Sequence, residues 1–195
     1  MTTIGVYLFD GAEELDYAGP WEVLGAWSAG FPGDGVTLFS VAREAGPVTS
    51  AKGLRVLPDH DWSSAPAVDV LVVPGGAGVY PLLEDDAALA WVRSHADGGA
   101  LVTSVCTGAL VLAAAGLLTG RPATTWWGRL DRLAELDPTI EVRPDDRFVD
   151  SGEIVTAAGV SAGIDMALHL VARLHSVERA REVRRYIQYD PEPPV

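Results

Sequence analysis

The chain has one cysteine and one lysine among 195 residues. A lone thiol, Cys106, excludes an intrachain disulfide and a thiolate-rich metal site, and it suits a reducing cytoplasm. Four histidines, His60, His95, His169 and His175, lack metal-ligand spacing, and none follows Cys106 directly. Positive charge is scarce: 14 Lys and Arg stand against 27 Asp and Glu, a net charge of −13. That balance disfavours nucleic acid or an anionic membrane surface as a partner. Long apolar runs are missing too. The densest one, from Ala109 to Leu118, is too short and too sharply bounded to cross a bilayer. The opening "MTTIGVYLFDG" has no basic region leading into an apolar core, so no secretion signal is expected. The expectation is a soluble cytoplasmic protein.

Apolar residues make up 48% of the chain, enough to fill a sizeable core, and the length suggests one domain over 1–195. "TIGVYLF", "GVTLFSVA", "VDVLVV" and "ALVTSV" read as strands, several apolar throughout. "LDYAGPWEVLGAW" reads as a helix, with Pro20 suiting its first turn. "DDAALAWVRSHAD" is a helix with acids in its first turn, and "GALVLAAAGLL" another. A hairpin turning at Lys52–Gly53 and a ribbon turning at Ser151–Gly152 complete the strands. "RPATTWWGRLDRLAEL" holds a short strand and another helix, and "SAGIDMALHLVARLH" and "SVERAREVRRYIQ" are two closing helices before a tail "YDPEPPV". Strands alternating with helices imply an α/β fold: a mostly parallel sheet covered on both faces.

In such a sheet ligands bind beyond the carboxyl ends of the strands. Cys106 lies at one of these ends, directly before a helix. Its flanks in "SVCTG", Ser104 and Gly108, are small, as a nucleophile on a sharp strand-to-helix turn requires. The helix start offers free N–H groups and partial positive charge. The expectation is therefore an accessible thiol with a lowered pKa. Asp16 in "EELDYAGP" has two readings. It either caps the following helix or faces Cys106 as a partly desolvated carboxyl of raised pKa, its titration coupled to that of the thiol. Gly75 and Gly76 in "VVPGGAGVY", the stretch that also holds Val79, have two readings: a nucleotide-binding loop, which G-G-x-G matches poorly, or glycines that let backbone N–H groups approach a reacting atom and make an anion hole. Val160, in "AAGVSAGID", belongs to a small-residue approach to a helix start, suited to lining a pocket or to close packing. Trp126 and Trp127 either wall an apolar pocket or pack ordinarily. The arginines from Arg173 to Arg185, interleaved with Glu178 and Glu182, read as a solvated, salt-bridged face.

Five stretches taken together, "LD-x-x-GP" after the first strand, "PGG" after a central one, "SVCTG" at the elbow, "ATT-x-W" and "G-x-x-AGID", resemble the ThiJ/PfpI superfamily, and within it the isocyanide hydratase branch. The resemblance covers nearly the whole chain. It implies a flavodoxin-like three-layer α/β sandwich of the class I glutamine amidotransferase-like kind, usually a homodimer. The implied reaction is hydration of an isocyanide to an N-substituted formamide, with no metal and no organic cofactor. Cys106 would be the nucleophile, passing through a thioimidate, and Asp16 the general acid/base. Thr107 would sit at the helix start, contacting Asp16 or water. Gly75, Gly76, Val79, Trp127 and Val160 would form the substrate and oxyanion surroundings. Other branches usually carry histidine after the cysteine and glutamate at the acidic position; Thr107 and Asp16 stand there here. The branch commonly has histidine where this chain has Trp126. The alternatives are a glyoxalase- or deglycase-like cysteine enzyme and a non-catalytic redox-sensing or ligand-binding domain.

Overall fold

A computed structural model describes residues 1–191; of the tail that starts at Tyr189, residues 192–195 lie outside it. The strands are β1 (Thr2–Tyr7), β2 (Val36–Ala42), β3 (Val48–Thr49), β4 (Arg55–Val56), β5 (His60–Asp61), β6 (Val70–Val73), β7 (Leu101–Val105), β8 (Pro122–Ala123), β9 (Glu141–Val142), β10 (Phe148–Asp150) and β11 (Ile154–Ala157). The helices are α1 (Glu14–Gly30), α2 (Val79–Leu82), α3 (Asp86–Asp97), α4 (Gly108–Ala114), α5 (Leu130–Leu136), α6 (Ala162–Leu174) and α7 (Val177–Tyr186).

Seven strands form one sheet in the order β10-β11-β7-β6-β1-β2-β5. Every pairing in it is parallel except β10 with β11. All residues of β6, β7 and β11 are buried, which explains why these strands are apolar or small on both faces. Helices α1, α6 and α7 pack together on one face, while α2, α3, α4 and α5 pack among themselves on the other. The arrangement is a flavodoxin-like sandwich.

Two turns fall where glycine is needed. Gly53 (φ 93°) lies in the β3–β4 turn and Gly152 (φ 93°) in the β10–β11 turn, both in the left-handed region. Asp85 caps α3 by accepting from the Ala87 and Ala88 N–H groups (both 3.1 Å). Pro20 departs from expectation. It lies inside α1, not in its first turn. With no N–H to donate, it leaves the Asp16 carbonyl without its usual partner one turn back. The side chain packs instead toward α6, where a Cβ on Gly163 would come within 3.2 Å of Pro20 Cγ.

The β3–β4 hairpin is latched onto the loop between β1 and α1. Thr49 N–H donates to Asp10 Oδ1 (2.7 Å) and Lys52 N–H to Glu14 Oε1 (2.6 Å). Ala51 N–H donates to the Ala12 carbonyl (2.8 Å), and the Lys52 ammonium pairs with Glu13. No helix among the described residues is long and apolar enough to cross a membrane.

Candidate active site

The carboxyl ends of four neighbouring strands converge on one sulfur. Residues after β7 supply Cys106, those after β1 supply Asp16, those after β6 supply Gly75 and Gly76, and those after β11 supply Val160. Cys106 adopts φ 57°, a left-handed conformation that costs an L-residue roughly 1–2 kcal/mol. Its surroundings hold it there. The Cys106 N–H is shared between the carbonyls of Ala157 (3.1 Å) and Ala158 (2.9 Å), and the Thr125 hydroxyl donates to its carbonyl (2.7 Å). Gly108 is obligatory beside it, because a Cβ would fall 2.3 Å from the Val73 carbonyl oxygen. Ser104 is wholly buried with no partner for its hydroxyl.

Asp16 lies in the first turn of α1 and is wholly buried. It does not cap its own helix. One carboxyl oxygen, Oδ2, accepts from the Gly75 N–H (2.9 Å), while Oδ1 has no hydrogen-bond partner. Burial pushes the Asp16 carboxyl up to about 7, against the pull of the Gly75 amide; the charge of Glu13 raises it further, and the Cys106 thiol and Lys52 lower it.

The thiol contradicts the expectation drawn from the helix start. Cys106 is only 6% exposed, and burial together with the Asp16 charge pushes it up to about 12, not down. The amides of Thr107 and Val160 and the Thr107 hydroxyl favour the thiolate, and they are outweighed. The two acids are coupled, and above about pH 7 the pair retains one proton, held mainly on sulfur.

The glycines serve the pair indirectly. Gly75 donates to Asp16, and Gly76 N–H donates to Thr107 Oγ1 (2.9 Å). Their amides are thus engaged and do not point freely at a reacting atom. The backbone donors that act on the sulfur are those of Thr107 and Val160. The Thr107 hydroxyl bonds Gly76, not Asp16. Val160 has φ 46°, a genuine outlier for a β-branched residue, so the amide that helps the thiolate is held by strained backbone.

A cavity of about 310 Å³ opens over the sulfur, lined by Glu13, Gly76, Ala77, Tyr80, Cys106, Thr107, Trp126, Arg129 and Val160. Three residues expected around the substrate do not line it: Gly75, whose amide is engaged with Asp16, Val79 and Trp127. Val79 is wholly buried in the core at the start of α2, and Trp127 turns outward, 76% exposed. Trp126 takes the place expected of its neighbour. Its ring is seated between Gly128 and Gly159, where a Cβ on either would approach it to 2.6 and 2.5 Å. Glu13, Tyr80 and Arg129 carried no local signal, since the tertiary fold alone brings them to the rim. The four histidines all lie elsewhere; His169 accompanies Arg173 on Asp150, and His175 faces Asp34.

Residues 2–173 match the DJ-1/PfpI family. The chain belongs to that family. It is 45% identical over 192 residues to the isonitrile hydratase of Pseudomonas putida, covering 98% of this chain and 80% of that one. It is 35% identical over 144 residues to the HTH-type transcriptional regulator CdhR of Pseudomonas aeruginosa, covering 73% of this chain but 42% of the regulator. The crystal structure of a ThiJ/PfpI family protein from Pseudomonas syringae superposes with a TM-score of 0.86 at 33% identity, covering all of this chain and 77% of that one.

Proposed function

We propose that the protein hydrates isocyanides to N-substituted formamides, using Cys106 as nucleophile and Asp16 as proton carrier. The observation that carries this reading is a wholly buried carboxyl of pKa about 7, with one oxygen unpartnered, coupled to a thiol of pKa about 12 at the floor of a small cavity. The 45% identity to an isonitrile hydratase supports the choice of substrate.

At neutral pH much of Asp16 is ionised while the sulfur holds its proton. As the sulfur attacks the terminal carbon of R–N≡C, Asp16 takes the thiol proton. A C–S bond forms, and the carbon bears the electron pair released from the isocyanide. Asp16 then delivers its proton to that carbon, giving the thioimidate Cys–S–CH=N–R. Water adds to the same carbon, its proton passing through Asp16 to nitrogen. The resulting Cys–S–CH(OH)–NH–R collapses: the hydroxyl proton returns through Asp16 to sulfur, the C–S bond breaks, and R–NH–CHO leaves. The sum is one isocyanide plus one water. The amides of Thr107 and Val160 stabilise sulfur whenever it carries negative charge. A thiol of raised pKa buried this deeply has little thiolate character, which argues against a stand-alone oxidation sensor.

The test is formamide production from cyclohexyl isocyanide. Wild type is expected to turn over and Cys106→Ala to fall to the uncatalysed rate; equal rates would reject the assignment.

We also propose a homodimer. Trp21 and Leu57, 37% and 70% exposed, line an apolar depression with Tyr17, Ala18 and Val56 that a second copy would cover.

A further inference from the structure

The rim of the Cys106 cavity carries two charged side chains in different states. Glu13 has a counter-ion, the Lys52 ammonium, which it shares with Glu14. Arg129 has no such counterpart. Its Nε donates to the Tyr80 hydroxyl (2.6 Å) and its Nη1 to the Gly128 carbonyl (2.7 Å), both neutral acceptors. Among the described residues its Nη2 has no hydrogen-bond partner, and no carboxylate lies within ion-pair distance of the guanidinium.

Its position is nevertheless well defined. The guanidinium carbon lies 5.5 Å from the centroid of the Trp126 ring, and that ring is wedged between Gly128 and Gly159. A cation stacked on one face and tethered at two nitrogens loses little further freedom when it binds an anion. A planar guanidinium with free N–H groups matches a carboxylate better than any neutral group. The rest of the wall, Ala77, Trp126 and Val160 with the ring of Tyr80, is apolar.

We infer that Arg129 is a specificity-determining residue, and that the preferred substrates are isocyanides whose R group carries a carboxylate. The apolar part of R would rest on Trp126, the isocyano carbon would reach Cys106, and the carboxylate would meet Arg129. The cavity volume, about 310 Å³, suits a single-ring or short-chain R group. This inference rests on the hydratase reading of the same pocket.

The experiment compares 4-isocyanobenzoate with the neutral, nearly isosteric 4-isocyanobenzamide on the full chain. Wild type is expected to favour the benzoate by about tenfold in kcat/KM, the span of a charge-assisted hydrogen bond over a neutral one, mostly through KM. Arg129→Gln should bring the ratio to about one, and Arg129→Lys should keep part of it. A wild-type ratio at or below one, with the benzamide turned over, overturns the carboxylate assignment and leaves the hydratase reading standing. Absence of turnover for every isocyanide overturns the hydratase reading instead. The carboxylate contact is then read by calorimetry on the Cys106→Ala protein with 4-formamidobenzoate and 4-formamidobenzamide. Tighter binding of the benzoate that Arg129→Gln removes supports the contact; equal binding overturns it.

Discussion

Asp16 ties stability and activity to the same proton. Its ordinary value of 3.8 describes the unfolded chain, and burial raises it to about 7 in the folded one. Between these values the folded chain keeps a proton that the unfolded chain has released. The contribution of this group is therefore fully present below about pH 4, declines as pH rises, and is lost above about 7. At about 1.4 kcal/mol per tenfold in proton affinity the span is roughly 4 kcal/mol. Urea denaturation of wild type and Asp16→Asn between pH 4 and 8 should show the variant gaining on wild type by a few kcal/mol; a constant difference would mean that the carboxyl titrates normally. In the same range wild-type kcat/KM should fall tenfold per pH unit below about 7 and level off above it, and Asp16→Asn should lose most activity at every pH. The placement of Cys106 at an elbow was legible in a short motif, because an elbow needs small flanks; Asp16 stood open between a helix cap and a partner of the thiol, and Thr107 entered only through the family resemblance. The protonation of the pair was not legible. Helix-start logic concerns an exposed thiol, whereas desolvation depends on what the rest of the chain places over it.

At the scale of elements, the loop after β6 is a spacer whose thickness matters. A Cβ on Gly75 would stand 2.5 Å from the Thr107 amide nitrogen and 2.9 Å from Asp16 Oδ2. Its backbone is not left-handed, so the objection to a side chain is purely steric. Gly75→Ala must push the start of α4 away from α1. It should cost about 1–3 kcal/mol in chemical denaturation, and it should lower kcat at least tenfold, since proton transfer fails when the pair separates. Unchanged kcat with reduced stability would show that the spacing is not critical to the chemistry. Strands β1, β2, β6 and β7 and helices α1, α3, α4, α6 and α7 were all legible from periodicity and turn residues. The short strand β8 and helix α5 were legible too, whereas β5 and β9 are two-residue segments with no local signal and α2 is a single turn containing Pro81. Pro20 misled because a proline rule for first turns says nothing of a proline inside a long helix that packs against α6. Adjacent residues diverge in direction, so locating a tryptophan wall to within one position still exchanged Trp126 for Trp127.

For the whole molecule, the proposed dimer predicts that Trp21→Glu combined with Leu57→Glu sediments at half the mass of wild type in analytical ultracentrifugation. A wild type already at the mass of one chain would place no second copy on that face. The hairpin bearing Leu57 also brings the chain's sole lysine to the mouth of the reaction pocket, with its ammonium on Glu13 and 3.6 Å from Glu14. Amine-directed reagents, whether cross-linkers, activated dyes or coupling resins, thus have only this side chain and the amino terminus to attack. Acylation there would unmask the Glu13 charge and withdraw a cation that holds the Asp16 pKa down. A preparation immobilised through its amines would become a different catalyst from the one in solution, displaced toward alkaline pH without any change in its catalytic atoms.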